Sequence, residues 1–181
     1  MSQNESVSSQ YPREGSIIYG FMTGTKESRK KAVSKFKIMN KYFIVPLYRF
    51  NILPLFFVGR FFVLLYIKGR KSGKQRITPV EFRNYNDYIL LFSSRGTHGD
   101  WYRNIMANPS DLIIKKGFSK FKPSSVSNCD YNEKIEILTW YTNKYPKYAK
   151  EFYGYDKKTD TVSEDLLKPV ADFMEILKLK K

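Results

Sequence analysis

Residues 66–80, Tyr-Ile-Lys-Gly-Arg-Lys-Ser-Gly-Lys-Gln-Arg-Ile-Thr-Pro-Val, constrain this chain more than any other stretch. The apolar run Phe61–Lys68 has strand length, Gly69 to Lys74 turns the chain, and Arg76–Arg83 leaves as a second strand. Pro79 marks an edge or a bulge in that strand, because proline cannot donate to a ladder. Asn84-Tyr85-Asn86-Asp87 then reads as a turn and Tyr88–Ser94 as a third strand. Asp100 is placed to cap a short helix, Trp101–Ala107, that stops at Asn108-Pro109. Asp111–Lys116 and Phe118–Val126 form a hairpin around Gly117. Several strands at short spacing with one inserted helix predict a small barrel, not a parallel sheet.

Helices flank this region. Residues 26–45 place Val33, Phe36, Phe43 and Ile44 on one face among many lysines, and Pro46 perturbs or ends the helix. Such a face suits bulk solvent, or an anionic membrane surface. The apolar stretch 42–67 is cut by Arg49, Arg60, Pro46, Pro54 and Gly59, so it reads as buried helix, break and strand, not as a spanning helix. Tyr131, Ile135, Leu138 and Tyr145 fit one helical stripe that Pro146 ends, and residues 147–153 make a second short helix closed by Gly154. Residues 166–179 fit a helix weakened by Pro169, or a last strand from Phe173. Residues 1–14 are polar, without the apolar stretch of a signal peptide, and read as a loose arm. The expected divisions are a flexible arm over 1–25, a helical segment over 26–58 and a barrel domain over 59–181.

The net charge of +15 calls for an anionic partner. One cysteine, Cys129, precludes an internal disulfide, and with one histidine, His98, the usual His/Cys zinc site is excluded. No metal site is expected. The turn itself carries the chemistry. Lys68, Arg70, Lys71, Lys74 and Arg76 place five cations in nine residues. Gly69 and Gly73 permit close backbone approach, and Ser72 adds a hydroxyl, which together make an anion receptor. It is not a P-loop: the spacing is one residue short, Gln75 stands where Ser or Thr would hold Mg²⁺, and a strand follows instead of a helix. Taken alone, a basic hairpin of this kind is also consistent with a solvated turn.

The turn resembles the GRKSGKxRxxP signature of the deazaflavin-dependent nitroreductase family, split β-barrel proteins that bind coenzyme F420. Pro46-Leu47-Tyr48-Arg49-Phe50, Trp101-Tyr102-Arg103-Asn104, Ala107-Asn108-Pro109 and Tyr145-Pro146-Lys147-Tyr148 extend the resemblance in order and spacing over roughly residues 41–155. It implies an α+β, mainly β fold, an FMN-binding split barrel-like architecture with flanking helices at the N-terminus and in the C-terminal third. It implies that Arg70, Lys71, Ser72, Gly73, Lys74, Arg76 and Pro79 hold the cofactor's phosphate and glutamate tail. Ser93, Ser94, Arg95, Gly96 and Trp101 would approach its ring, and Tyr145 and Tyr148 would line the substrate pocket as catalytic phenols. The activity implied is hydride transfer from F420H2 to a quinone, enone or nitro compound, in a cytoplasmic enzyme, at a site often formed at a subunit interface of a homodimer. An FMN-binding reductase is the alternative within the same fold. A basic nucleic-acid-binding module is the alternative outside it, disfavoured because no nucleic-acid motif is present.

Overall fold

A computed structural model describes residues 11–50, 52 and 61–181, the side chains of 35 and 36 excepted. The chain forms two compact units. One comprises Thr25–Asp130 with Met174–Lys181, the other Met1–Gly24 with Tyr131–Phe173.

The first unit is built on a seven-stranded antiparallel sheet: β1 (Phe62–Lys68), β2 (Gln75–Tyr85), β3 (Tyr88–Ser93), β4 (Ile113–Lys116), β5 (Ser119–Phe121), β6 (Ser125–Asn128) and β7 (Glu175–Lys180). Their order is β5-β4-β1-β2-β3-β7-β6. The eleven-residue β2 belongs to both halves: Gln75–Glu81 pairs with β1 and Phe82–Tyr85 with β3, which curls the sheet into a split barrel. Pro79 lies on the part of β2 that has a strand on one side only, the position a missing N–H tolerates. Asn86, at φ 50°, makes the β2–β3 turn, and Gly117, at φ 58°, the β4–β5 turn. The expected strand Phe118–Val126 is instead two, because Pro123 interrupts it and Ser125–Asn128 crosses to pair with β7. The barrel interior is filled by Val63, Leu65, Ile67, Phe82, Leu91, Ile114 and Leu177 among others. β1 buries residues on both faces, which is why its sequence runs apolar without alternation.

The helices are α1 (Ile17–Thr23), α2 (Lys26–Met39), α3 (Val45–Arg49), α4 (Asp100–Ala107), α5 (Tyr131–Lys144), α6 (Pro146–Tyr153) and α7 (Glu164–Phe173). Of the two effects expected of Pro46, it perturbs the N-terminal helix and does not end it. A π-helical turn, Asn40–Ile44, widens the helix ahead of the proline ring, and α3 continues beyond it. Tyr48 fixes α3 to the sheet: its hydroxyl donates to the Phe62 carbonyl at 3.0 Å and accepts from the Gly117 N–H at 2.8 Å. Burial pushes that phenol's pKa up, against the lowering effect of the Gly117 bond. The expected break through Pro54 and Gly59 lies outside the described residues. Among the described residues, no helix is long and apolar enough to cross a membrane.

In the second unit, residues 11–24 are packed and not a loose arm; residues 1–10 lie outside the described residues. Tyr11 and Ile18 are buried, and Ser16 caps α1 by accepting the Tyr19 N–H at 3.4 Å. Arg13 clamps the segment down: its N–H donates to the Tyr153 carbonyl at 3.0 Å, and its guanidinium reaches Gly154 O at 3.1 Å and Asp160 at 2.7 Å. Tyr11 also donates to Asp160. Burial pushes the Asp160 carboxyl up, but the bonds from Arg13, Tyr11, Asp156 N–H and Thr159 outweigh it and hold it well below the usual range. α5 buries Lys134, Ile137, Leu138, Tyr141 and Thr142, a face offset from the expected stripe; Tyr131 is exposed. Two polar residues join that face because each finds a partner: Lys134 Nζ on Ala171 O, and Thr142 on the Leu138 carbonyl and Tyr153 hydroxyl. Residues 166–179 are both of the expected alternatives, helix through Phe173 and then β7, and Pro169 is tolerated within α7 because Leu167, Val170 and Ala171 are buried around it. The expected boundary at 58 lies outside the described residues. Residues 131–173 separate from the barrel, while 174–181 return to complete its sheet.

Candidate active site

The turn joining β1 to β2 is closed by its own backbone. Gly69 N–H donates to Lys74 O at 2.9 Å, and the Ser72 and Gly73 N–H groups donate to Gly69 O at 3.1 and 2.8 Å. Gly73 supplies φ 64°. A Cβ at Gly69 would stand 3.1 Å from Ser72 Oγ and 3.4 Å from Arg76 Nε, so the bare position lets Arg76 fold across the turn. There its guanidinium donates to Ser72 Oγ at 3.3 Å.

Arg70 fastens the turn to the first two turns of α4. The buried Asn104 Oδ1 accepts from the Arg70 backbone N–H at 3.1 Å and from its guanidinium at 2.9 Å. The same guanidinium reaches Asp100 O at 3.4 Å and the Asp100 carboxylate at 3.5 Å. Asp100 is the first residue of α4, not its cap; Gly99 takes the cap position. Its carboxylate is ringed by Arg70, by Arg95 at 3.7 Å and by Lys37 at 3.7 Å, and it also complements the helix dipole.

The five cations therefore divide. Lys68 pairs with Asp111 at 3.0 Å and Arg70 is held by Asp100 and Asn104. Lys71, Lys74 and Arg76 are exposed, and among the described residues no carboxylate pairs with them. Pro79 is half-buried three residues beyond Arg76.

In the loop before α4, Ser93 is 1% exposed and its hydroxyl donates to Gly96 O at 2.8 Å. Gly96 adopts φ 54°. A Cβ at Gly99 would meet Ser93 Oγ at 2.6 Å, so that contact demands glycine. Ser94 and Arg95 are half-buried, His98 is exposed, and Trp101 packs partly on the barrel core, edge-on to Tyr102 at 6.2 Å. Tyr145 and Tyr148 belong to the helical unit. There Tyr145 meets Trp140, Tyr141 and Tyr148 at centroid distances of 5.6, 5.5 and 6.4 Å. Asn104, Asp100 and Lys37 were not singled out as site residues by sequence. The signal for Asn104 was a polar side chain one turn after Trp101, on the face of α4 that turns inward.

A split barrel whose first hairpin carries exposed cations with no carboxylate partner among the described residues suits a polyanionic ligand. The profile of the F420H(2)-dependent quinone reductase family matches residues 55–163, more than half of the chain, and the chain belongs to that family. It is an oxidoreductase that uses coenzyme F420. Among solved structures it is similar to an F420-H2 dependent reductase (FDR-A), at 24% identity and a TM-score of 0.45 over 67% of this chain and 95% of that one. It is also similar to a 5-nitroimidazole antibiotic resistance protein of Bacteroides thetaiotaomicron, at 16% identity and 0.44 over 68% and 74%. A nimC/nimA family protein from Clostridium acetobutylicum matches at 13% and 0.42 over 69% and 75%. No curated protein compared matches the chain.

The donor set suits such a cofactor. A phosphate followed by glutamyl carboxylates needs several cations close together, and Lys71, Lys74 and Arg76 are three with no carboxylate to displace among the described residues.

Proposed function

We propose that this chain reduces an electron-poor acceptor of the quinone class, with the cofactor tail held by Lys71, Ser72, Lys74 and Arg76. Reduced F420, when bound, supplies the hydride. The carrying observation is the group of three exposed, carboxylate-free cations on a turn that Asn104 and Arg70 hold in place. Arg70 positions the turn through Asn104 and Asp100, which engage part of its guanidinium fork, and the rest of the fork is available to the tail. The Ser93–Gly96 bond sets the shape of the loop, leaving Ser94, Gly96 and the N–H groups at the start of α4 to meet the ring. Positioning of donor and acceptor is the chain's main contribution. A quinone that accepts a hydride also takes up a proton, and Tyr145 and Tyr148 are the phenols proposed to hydrogen-bond the acceptor and hand it on.

Three uncompensated cations exceed what the single phosphate of FMN requires, which favours the longer polyanion. Steady-state reduction of menadione, an enone and a nitroimidazole by F420H2 tests the acceptor class. Quinone turnover above the other two is expected, with Tyr145→Phe and Tyr148→Phe each slowing it without loss of cofactor affinity. Reduction of none of the three, or tight FMN binding without F420 binding, overturns the proposal.

A further inference from the structure

The cationic turn has an acid set against it. Residues 61–110 hold eight cations, Lys68, Arg70, Lys71, Lys74, Arg76, Arg83, Arg95 and Arg103, and three acids, Glu81, Asp87 and Asp100. Glu81 pairs with Arg83, and Asp87 lies in the β2–β3 turn at the far end of β2. Asp100 alone of the three faces the turn, where a receptor for a polyanion gains nothing from a negative charge of its own.

Its contacts differ from the tight ion pairs of the chain. Asp111 closes on Lys68 at 3.0 Å and Asp160 on Arg13 at 2.7 Å, near the length of a charge-assisted hydrogen bond. Asp100 meets Arg70 at 3.5 Å, and Lys37 and Arg95 at 3.7 Å each. Three cations lean on one carboxylate and none closes on it, and that carboxylate stays 50% exposed. Such a group is held by the summed field of its neighbours and of the α4 N-terminus, not by a fixed bond. Holding the turn in place falls to the buried Asn104, which accepts from Arg70 at 3.1 and 2.9 Å. The other end of the Arg70 fork, Nη2, faces the Asp100 carboxylate.

A loosely held counter-ion has a use here. Each hydride transferred leaves an oxidised cofactor that has to be exchanged for a reduced one, and release of a tightly gripped product limits turnover. A carboxylate that returns to Arg70 as the tail leaves makes that release easier.

We propose, on the reading that the turn is the tail site, that Asp100 is a displaceable counter-ion that competes with the cofactor's anionic tail for Arg70. It lowers affinity and speeds the exchange of oxidised for reduced cofactor.

Equilibrium titration and stopped-flow release of oxidised F420, both with the full chain, test this. Asp100→Asn and Asp100→Ser remove the charge with residues that suit a helix start. Each is expected to bind F420 about fivefold more tightly, the worth of one exposed ion pair, with the gain in slower release. Asp100→Glu keeps the charge and should bind as the wild type does. The gap between Asp100→Asn and wild type should narrow as KCl is raised. Unchanged far-UV circular dichroism would show that the variants are folded. Equal or weaker binding by the two neutral variants overturns the proposal. So does a gain that Asp100→Glu shares, or one that salt leaves untouched. Lys71→Ala/Lys74→Ala/Arg76→Ala separates this proposal from the reading beneath it. If that variant loses F420 while Asp100→Asn gains nothing, the tail site stands and the counter-ion falls; if the wild-type chain binds no F420, both fall.

Discussion

Asn104→Ala would separate the cationic turn from the helix that positions it. Asn104 Oδ1 accepts two bonds, one from the Arg70 peptide N–H at 3.1 Å and one from the Arg70 guanidinium at 2.9 Å. A neutral bond contributes about 1 kcal/mol net and a charge-assisted one about 1.5–3 kcal/mol. Two effects offset part of that sum. Alanine is the better helix former by about 0.5 kcal/mol, and Arg70, 20% exposed at its side chain, regains some hydration. A net loss of about 2 kcal/mol is expected, which at a urea m-value of ~2 kcal/mol/M lowers the midpoint by about 1 M. Fluorescence in a Trp140→Phe background reports on Trp101, one turn from the substitution on α4. The variant should also bind F420 more weakly, although no cation has been removed. A midpoint shift under ~0.2 M together with unchanged F420 affinity would refute the assignment of Arg70 and Asn104 as the anchor of the turn.

Two further outcomes probe the fold around the site. Tyr48→Phe leaves the Gly117 N–H without its phenol acceptor and the Phe62 carbonyl without its donor, and should cost about 1–3 kcal/mol in chemical denaturation. Asp160→Asn removes the charge shared by Arg13 and Tyr11 and should cost about 2 kcal/mol at neutral pH. Because the Asp160 carboxyl is held below its ordinary value in the folded chain, its contribution is complete above the unfolded value of about 4 and is lost as pH falls below that. Melting curves of the two proteins should therefore diverge at pH 7 and converge as the solution is acidified toward the folded value; a constant gap would contradict the assignment.

The hairpin 66–80 was legible because local chemistry decides it: glycines at 69 and 73, cations between them and apolar strands on either side. The helix α4 was legible for the same reason, stopped by Asn108-Pro109 and begun one residue from the expected cap, Asp100. What failed was whatever depends on distant partners. β6, Ser-Val-Ser-Asn, carries no strand pattern and extends because the edge of β7 offers it a ladder. Nothing local marks Lys134 and Thr142 for burial; Ala171 and Tyr153 supply the partners that permit it. Arg13 is held by Asp160, 147 residues away, so nothing local distinguished a clamp from a loose arm. In the site, the five cations could be counted but not sorted. Only the positions of Asp111, Asp100 and Asn104 show that Lys68 and Arg70 are engaged.

Equilibrium titration of coenzyme F420 into the wild-type chain and into Lys71→Ala/Lys74→Ala/Arg76→Ala reads this directly. Loss of affinity by about three or more orders of magnitude, at about 1.5 kcal/mol or more for each cation, is expected with the fold retained. Equal affinity in the two proteins would contradict the account.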